Sequence, residues 1–402
     1  MIRIIDKQDC CGCHACASVC ARHSITMQED NEGFLYPKVD TSTCTDCGLC
    51  EKVCPVINQS EPHKPLKVYA AKNNNEEIRL QSSSGGIFTL LAEKVIDEGG
   101  VVFGAKFDKD WNVIHSCADT KDGIAAFRGS KYVQSTIGNT YTEAREFLKQ
   151  GRKVLFSGTP CQIAGLKKFL RKEYDNLLTV DVVCHGVPSP KVWSMYLSEI
   201  CSKVQKASHT AKKNITSKND IIQTINFRYK NPSWNNYSIC ITYKQGIPQY
   251  CMNANKDPYM QAFLKDITLR PSCYSCYAKG GTSHSDIKIC DFWGVEKVMP
   301  ECDVEKGVCG IIIYTKKGIE TFSFKEVTQK VVLLDDITRF NPSYYKSCVI
   351  PDCRIGFFRQ LGKDATIIKL INRYTRTSKI CRLKNVIQRC FTSIKRWTRK
   401  TK

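Results

Sequence analysis

The sequence has no long hydrophobic run. No uninterrupted apolar stretch approaches the roughly eighteen residues that a membrane-spanning helix needs, so an integral membrane protein is not expected. The segment Met1–Asp6 lacks the charged leader, apolar core and small-residue cleavage site of a signal peptide. With 402 residues, 42% of them hydrophobic, the composition predicts a globular protein with one small module and one or two larger domains.

Acidic residues are scarce, and the formal net charge is +21. Much of this excess lies in residues 363–402, which hold thirteen Lys or Arg and one acid. Apolar residues recur there at three- and four-residue steps, which predicts a basic amphipathic helix from about Ile380. That helix packs on its own domain or a partner subunit, or else contacts an anionic membrane surface. The interleaved aromatics of a nucleic-acid stacking platform are absent, so no nucleic-acid partner is expected.

Cysteine is abundant, with 24 residues, and eight of them form two runs. Both runs have C-x2-C-x2-C-x3-C spacing, and Pro55 follows the second. In two-cluster ferredoxins the fourth cysteine of each run ligates the other cluster. We therefore expect one [4Fe–4S] cluster on Cys10, Cys13, Cys16 and Cys54, and a second on Cys44, Cys47, Cys50 and Cys20. The alternative, a pair of zinc knuckles, usually uses cysteines in pairs rather than in this order. Because cysteines at this spacing are expected to hold clusters rather than form disulfides, the expected compartment is the reducing cytoplasm.

The remainder of the chain alternates predicted strands and helices. After a proline-containing linker near residues 60–65, this alternation predicts an α/β core with some parallel pairing. The predicted strands are Val68–Ala71, Val101–Ala105, Val154–Phe156, Leu178–Val183, Ile221–Tyr229, Tyr237–Tyr243 and Cys309–Tyr314. The predicted domains are residues 1–60, 66–355 and a tail, 356–402.

A second group of cysteines lies in this α/β region. Cys161 and Cys184 each follow a predicted strand, where α/β domains tend to place their sites. Cys273 and Cys276 form a C-x2-C pair. Together the four could ligate a third cluster. The alternatives are a zinc site for the pair, or buried thiols with no ligand.

Two polar segments could bind a phosphate. The Ser82–Gly86 run opens a predicted helix, and Gly129–Tyr132 adds a lysine in a loop. Neither has the spacing of a Walker loop or a dinucleotide fingerprint, so an ordinary serine N-cap is the alternative. His185, beside Cys184, could donate a proton near a redox centre, or it could be a packed or surface histidine.

Several of these motifs occur together in one known order. They are Ser83–Gly86, Gly129–Ser135, Gly158–Leu166, Cys184–Ser189, Asp257–Met260, Leu269–Cys276, Ser285–Ile287 and Asp291–Gly294. In this order they resemble the family of coenzyme F420 hydrogenase/dehydrogenase beta subunits, in the form with a fused N-terminal ferredoxin. The resemblance covers most of residues 1 to about 345.

The resemblance implies an iron–sulfur flavoprotein oxidoreductase. Its fold would be an α+β ferredoxin module followed by an α/β flavin-binding domain, with the basic amphipathic helical tail outside the resemblance. It implies FAD contacts from Ser84, Gly85, Gly86, Lys131 and Thr159, and a third [4Fe–4S] cluster on Cys161, Cys184, Cys273 and Cys276. Electrons would pass between the clusters and FAD, and between FAD and a small organic substrate or hydride carrier. The expected protein partner is a redox protein or ferredoxin.

Some features stay open at this point. Cys290 stands where a small residue is expected, and it is an alternative cluster ligand. Bacteria that lack the deazaflavin in the family name carry similar proteins, often in settings linked to surface polysaccharide synthesis. The expected location is cytoplasmic, either free or held by the tail at the inner face of the membrane. The alternative function is a non-catalytic electron-relay subunit that docks on a partner enzyme.

Overall fold

A computed structural model describes residues 1–207, 218–244, 249–363 and 366–376. The strands of these residues are β1 (Ile25–Glu29), β2 (Leu35–Val39), β3 (Lys67–Asn73), β4 (Val101–Phe107), β5 (Val113–Ala118), β6 (Val154–Gly158), β7 (Leu177–Val182), β8 (Ile222–Tyr229), β9 (Ser238–Tyr243), β10 (Tyr250–Asn253), β11 (Ile287–Asp291), β12 (Cys309–Ile313) and β13 (Val327–Val331).

The α-helices of the same residues are α1 (Ala15–Val19), α2 (Leu49–Lys52), α3 (Glu76–Gln81), α4 (Ile87–Asp97), α5 (Lys121–Ile124), α6 (Thr140–Lys149), α7 (Pro160–Leu170), α8 (Pro190–Ala207), α9 (Lys218–Ile221), α10 (Pro258–Leu264), α11 (Lys316–Thr321), α12 (Leu334–Thr338), α13 (Arg354–Gln360) and α14 (Ile367–Thr375). Short 3₁₀ helices cover Lys7–Asp9, Ala125–Phe127, Pro271–Ser275, Val295–Lys297 and Pro342–Tyr344.

The N-terminal module is a β1–β2 antiparallel hairpin with one short helix in each cysteine run. His14, at φ +65°, precedes α1, and Gly48, at φ +72°, precedes α2. This left-handed backbone turns the chain sharply into each helix. The two cysteine runs thus fold as two similar loop-and-helix units.

The second domain is built on an eight-stranded mixed sheet with the order β13-β3-β12-β11-β7-β6-β4-β5. The strands β4, β6, β7 and β11 are parallel neighbours at its centre. Antiparallel strands continue the sheet on both sides. The predicted α/β core with parallel pairing is therefore present, although the edge strands β5 and β13 and the central strand β11 were not predicted.

Helices cover both faces of the sheet. On β4, Val101 and Phe103 pack with α6 and α7 on one face, whereas Val102 packs with α4 on the other. This alternation follows from the period of two along a strand, and it makes both faces of the central strands apolar.

The N-terminal module packs directly on the α7 face. Cys11, Cys13 and Ala15 belong to the same buried cluster as the apolar side of α7. A Cβ atom at Gly165 of α7 would lie 2.8 Å from Cys13 Cβ. Glycine at this position therefore lets the cysteine loop approach the helix closely.

A third layer consists of the antiparallel sheet β10-β9-β8 and the helices α8, α10 and α14. Its core includes Trp193, Phe227 and Tyr259, together with Ile367 and Leu370 of α14. The core thus extends past residue 355, although a separate tail is predicted to begin at residue 356. The predicted basic helix from about residue 380 lies outside the described residues. Within the described ranges, no helix has both the length and the apolar character needed to cross a membrane.

Candidate redox and flavin site

The first cysteine site is a cavity inside the N-terminal module. Cys10, Cys13 and Cys16 of the first run line it together with Cys54, the last cysteine of the second run. Ile2, Ile4, Pro37 and Val56 supply apolar walls. The structure thus brings together the four cysteines that the crossed ferredoxin pattern groups.

The cysteines of the second predicted set lie nearer the surface. Cys47 is exposed, and Cys20 and Cys44 are half-buried. Cys50 is buried, and its sulfur accepts a hydrogen bond from the Ile2 backbone N–H at 3.3 Å. A group held by this set would therefore be closer to solvent than one held in the first cavity.

The spacing of the thiols bears on the choice between zinc and a cluster. Thiolates around one tetrahedral zinc ion lie about 4 Å apart, because each Zn–S bond is about 2.3 Å. In the part of the chain that the structure describes, one group of three or more metal-ligating atoms lies within 4.8 Å of one another, and it contains no ferredoxin cysteine. Among the described residues, no three ferredoxin thiols therefore lie as close together as the ligands of one zinc ion would.

Arg270 of the second domain reaches into the first cysteine site. It is fully buried, and its Nε donates to the Cys10 carbonyl at 2.7 Å. Its guanidinium also donates to the Leu35 carbonyl at 2.9 Å and the Gln134 side chain at 3.0 Å, and it lies 3.6 Å from Cys10 Sγ. The ring of Tyr36 lies 4.3 Å from the guanidinium carbon. Sequence reasoning missed this residue, because its partners are about 130 or more positions away.

The second cysteine site forms where α7, the end of β7 and the Pro271–Ser275 helix meet. Burial raises the pKa of Cys273 well above its usual value, and the neighbouring Cys184 thiol adds to this effect. Burial likewise raises the pKa of Cys276, with a further contribution from Cys161. The thiols of Cys184, Cys276 and Cys161 all raise the pKa of Cys273, so the four predicted cysteines are neighbours, and each is half-buried.

Cys11 connects the two cysteine sites. It follows Cys10 in the chain, and it shares a hydrogen bond with Cys161 that, with burial, raises the pKa of Cys161 well above its usual value. Its sulfur also lies 3.8 Å from the Tyr277 hydroxyl. The sequence leaves Cys11 without a role, whereas the structure places it between the first and second sites.

His185 lies beside the second site, with a side chain that is 39% exposed. Its Nε2 is 2.6 Å from Asp266 Oδ1, and its Nδ1 is 3.4 Å from Ser343 Oγ. Cys348 Sγ approaches the same imidazole at 3.6 Å. The Asp266 carboxylate fixes the orientation of the ring. Asp266 and Cys348 carry no sequence motif, so they could not have been found without the structure.

The two predicted phosphate-binding segments meet in space. Ser83 Oγ accepts a hydrogen bond from the Ser130 backbone N–H at 2.7 Å. However, the Ser84 hydroxyl donates to the Val308 carbonyl at 2.8 Å, and the Gly85 N–H donates to Cys309 Sγ at 3.2 Å. Gly86, at φ +78°, is the N-cap of α4. The serine–glycine run therefore also has a role in packing α4 against β12.

Thr159 and Lys131 lie in different surroundings. Thr159 is the N-cap of α7, where its backbone N–H donates to Gln162 Oε1 at 2.9 Å, and its Oγ1 is 3.2 Å from Cys161 Sγ. Lys131 Nζ donates to the carbonyls of Ala126 and Arg128. Burial lowers the pKa of Lys131 to about 7. This ammonium has carbonyl partners and no carboxylate, which suits an anionic ligand.

Two further cations lie against Ser83 and Ser84. Lys230 donates to the Ser84 carbonyl at 2.9 Å, and burial lowers its pKa to about 8. Arg228 forms an ion pair with Asp291 at 2.9 Å, but its buried Nε has no hydrogen-bond partner. Both residues come from the end of β8, and sequence reasoning missed them. A buried donor without a partner is costly, so the arrangement favours an acceptor supplied by a ligand.

Comparison with known proteins identifies the family of this chain. Residues 68–140 match the N-terminal part, and residues 151–338 the C-terminal part, of the coenzyme F420 hydrogenase/dehydrogenase beta subunit. Residues 9–58 match a 4Fe-4S dicluster domain. The chain belongs to the family of coenzyme F420 hydrogenase/dehydrogenase beta subunits. The resemblance inferred from the motifs is thereby confirmed.

Curated relatives share modest identity with this beta-subunit homologue. It is 22% identical over 195 residues to a subunit of the F(420)H(2) dehydrogenase of Methanosarcina mazei, covering 45% of this chain and 54% of the relative. It is 25% identical over 231 residues to the coenzyme F420-dependent sulfite reductase of Methanocaldococcus jannaschii, covering 54% of this chain and 34% of the relative. The chain thus spans about half or less of these curated relatives.

A solved structure of the F420-reducing [NiFe] hydrogenase complex from Methanosarcina barkeri is also similar. The match has a TM-score of 0.45 and 18% identity, and it covers 70% of this chain and 88% of that chain. Together, the family matches and the dicluster match relate this beta-subunit homologue to iron–sulfur oxidoreductase subunits.

Some of the motif residues that carry the resemblance hold strands and helices in place, whereas others lie at the serine–glycine run. Asp286 accepts hydrogen bonds from the backbone and hydroxyl of Thr179, which ties β11 to β7. Asp257 caps α10. In contrast, Asp291 holds Arg228 beside the serine–glycine run. Cys290, the suggested alternative ligand, lies on β11 with its sulfur 3.6 Å from the Gly310 carbonyl.

Proposed function

We propose that this protein is an iron–sulfur flavoprotein oxidoreductase that exchanges electrons with a redox partner and with a small organic substrate or hydride carrier. The proposal rests on one observation above all. Two cysteine sites, joined through Cys11, lie on the same helix layer as Thr159, and the half-buried Lys131 and Lys230, with carbonyl partners, lie near the serine–glycine run. When bound, clusters would carry single electrons, and a flavin would store two and exchange a hydride.

The cysteines support three cluster sites. Cys10, Cys13, Cys16 and Cys54 would hold one cluster in the first cavity, and Cys44, Cys47, Cys50 and Cys20 a second nearer the surface. Cys161, Cys184, Cys273 and Cys276 would hold a third. The first set is supported by its shared cavity, and the last by the mutual influence of its thiols on their pKa values.

The residues near Ser83 fit the diphosphate of FAD. Lys131 and Lys230 bring two ammonium groups with carbonyl partners only, and Arg228 brings a buried Nε–H without an acceptor. Phosphate oxygens would supply the missing negative charge and the missing acceptor. Because Ser84 and Gly85 already bond to β12 and its neighbour Val308, the cations would provide the main phosphate contacts.

His185 would handle the proton that accompanies two-electron chemistry. It is partly exposed, is positioned by Asp266, and lies next to Cys184. A partly exposed histidine beside a redox site can pass a proton between solvent and that site. This role stays a proposal, as does the link to surface polysaccharide synthesis that the resemblance implies.

Cofactor content tests the proposal directly. The full chain would be purified without oxygen, and iron, sulfide and flavin would be measured per chain. About twelve irons and one FAD per chain are expected for three [4Fe–4S] clusters and one flavin. Replacing Cys161 and Cys276 with serine should remove about four irons and leave about eight.

A different result would favour the alternative function. About eight irons and no flavin, even after reconstitution with both, would remove the third cluster and the flavin from the proposal. The remaining module would then be an electron-relay subunit that depends on a partner enzyme. Turnover of an artificial dye or a nicotinamide by the isolated chain would argue against that relay.

A further inference from the structure

A cleft of about 350 Å³ lies between the N-terminal module and the C-terminal end of α7. One wall is Pro55, which also lines the cavity of the first cysteine site. Another is Tyr277, which follows Cys276 and lies 3.8 Å from Cys11 Sγ. The cleft therefore opens from solvent to the immediate neighbours of both cysteine sites.

The mouth of the cleft is strongly basic. Lys167, Lys168, Arg171 and Lys172 line it, together with a single acid, Glu173. Glu173 lies 3.4 Å from Lys167, and its side chain is 83% exposed. Arg171 and Lys172 are themselves exposed. The four cations and one carboxylate give the mouth of the cleft a net charge of +3.

An exposed apolar side chain accompanies this charge. Ile57 follows Pro55 by two residues and is 59% exposed. Protein interfaces typically combine such an apolar contact with a charged rim.

The position of the cleft also argues for a one-electron partner. The residues proposed to contact flavin include Thr159, at the N-terminal end of α7, whereas the basic residues of the cleft begin at Lys167, towards its other end. Eight residues of helix rise about 12 Å, which separates these basic residues from Thr159. A two-electron substrate belongs at the flavin, while a carrier of single electrons belongs near the cysteine sites.

We propose that this basic cleft docks an acidic one-electron carrier protein, such as an acidic ferredoxin, beside the first cysteine site. The inference rests on the proposed function, because it assumes that the cysteines hold clusters. In each encounter the carrier would lose one electron and the chain would gain one. Charge complementarity would speed the encounter and orient the carrier.

Binding measurements on the full, cluster-loaded chain test the docking. The probe is an acidic two-cluster ferredoxin, and the readout is its dissociation constant by calorimetry at low and high salt. The triple variant Lys168→Glu, Arg171→Glu, Lys172→Glu should weaken binding by about tenfold or more. The triple variant Lys109→Glu, Lys316→Glu, Lys325→Glu changes the net charge equally at exposed positions outside the cleft, and it should bind nearly as well as the parent chain.

Electron transfer provides the second readout. Stopped-flow reduction by the reduced ferredoxin should slow in the cleft variant, whereas reduction by methyl viologen radical should not. If both triple variants bind alike, or if binding is insensitive to salt, the docking proposal is wrong. If inorganic phosphate displaces ferredoxin beyond its ionic-strength effect, the cleft is a small-anion site instead.

The two proposals fail in distinguishable ways. A chain that lacks iron after reconstitution would refute the proposed function before any docking is measured. A chain with full iron content that accepts electrons from viologen, but shows no cleft-dependent ferredoxin binding, would refute only the docking.

Discussion

At the scale of single residues, Arg270 joins the second domain to the first cysteine site. Its guanidinium satisfies two carbonyls and one amide in a fully buried position. Removing it leaves these acceptors without a donor. We expect Arg270→Met to lower the free energy of unfolding by about 3 kcal/mol, as measured by urea denaturation. An unchanged urea midpoint would contradict this assignment.

Arg270 should also influence the redox properties of the same site. Its Nη2 lies 3.6 Å from Cys10 Sγ. Positive charge and hydrogen bonding at a ligand sulfur favour the reduced, more negative cluster. Arg270→Lys keeps the positive charge but removes the Nη2 donor beside Cys10 Sγ, so it should lower the midpoint potential of the proposed cluster in an EPR-monitored titration. Arg354→Lys is the matched control, because Arg354 also crosses between the modules but contacts no cysteine sulfur.

The lowered pKa values of Lys131 and Lys230 predict that flavin binding depends on pH. Burial lowers their pKa values to about 7 and about 8, so at pH 8 both are partly neutral in the free protein. A bound phosphate favours the charged forms and raises both pKa values. Binding of FAD at pH 8 should therefore take up protons.

Calorimetry in two buffers of different ionisation enthalpy measures this uptake. Lys131→Met should reduce the number of protons taken up, and so should Lys230→Met. The same shifts affect folding, because the unfolded lysines bind protons more tightly between about pH 7 and pH 10. The contribution of these two lysines to stability should then rise with pH across that window. Proton release on FAD binding would overturn the assignment of these cations.

At the scale of elements, α7 is the part of the fold that both cysteine sites share. Its first turn carries Cys161, and its middle faces Cys13 through Gly165. Alanine would normally stabilise a helix by about 1 kcal/mol relative to glycine. Here the added Cβ would lie 2.8 Å from Cys13 Cβ, and such overpacking costs about 1–3 kcal/mol.

We therefore expect Gly165→Ala to reduce the iron content of the N-terminal module and to lower the melting temperature. Iron and sulfide per chain, with thermal unfolding, are the measurements. Gly356→Ala in α13 is the control, because its added Cβ would meet only the end of the Tyr374 side chain, at 3.0 Å. Full iron content in Gly165→Ala would show that the cysteine loop and α7 can separate without cost.

At the scale of the whole molecule, the modules are held together by a second buried arginine. Arg354 of α13 donates to both carboxylate oxygens of Glu32 and to the Leu269 carbonyl. The Arg354 and Glu32 side chains are 8% and 17% exposed. A double-mutant cycle with Arg354→Met and Glu32→Gln should give a coupling of about 2 kcal/mol in unfolding free energy. A coupling near zero would indicate that the modules dock independently of this pair.

Local patterns predicted a large part of the candidate site. The crossed cysteine sets follow from spacing alone, because three close thiolates can wrap only one face of a cluster. Cys161 and Cys184 could be placed together because the ends of parallel strands meet at one edge of a sheet. Arg228 and Lys230 could not be placed, because their position depends on how the third layer packs against the serine–glycine run. No periodicity encodes that docking.

The module order and the α/β core could be predicted from short-range spacing and from the period of each element, and so could the proposed cysteine groups. The entry of Arg270 and Arg354 into the N-terminal module, the position of Cys11 beside Cys161 and the continuation of the core through α14 became visible only in the folded chain. These contacts join residues more than a hundred positions apart or depend on close packing between layers. Such contacts are selected by burial and by the need to satisfy buried polar groups, which become definite only once the layers have met.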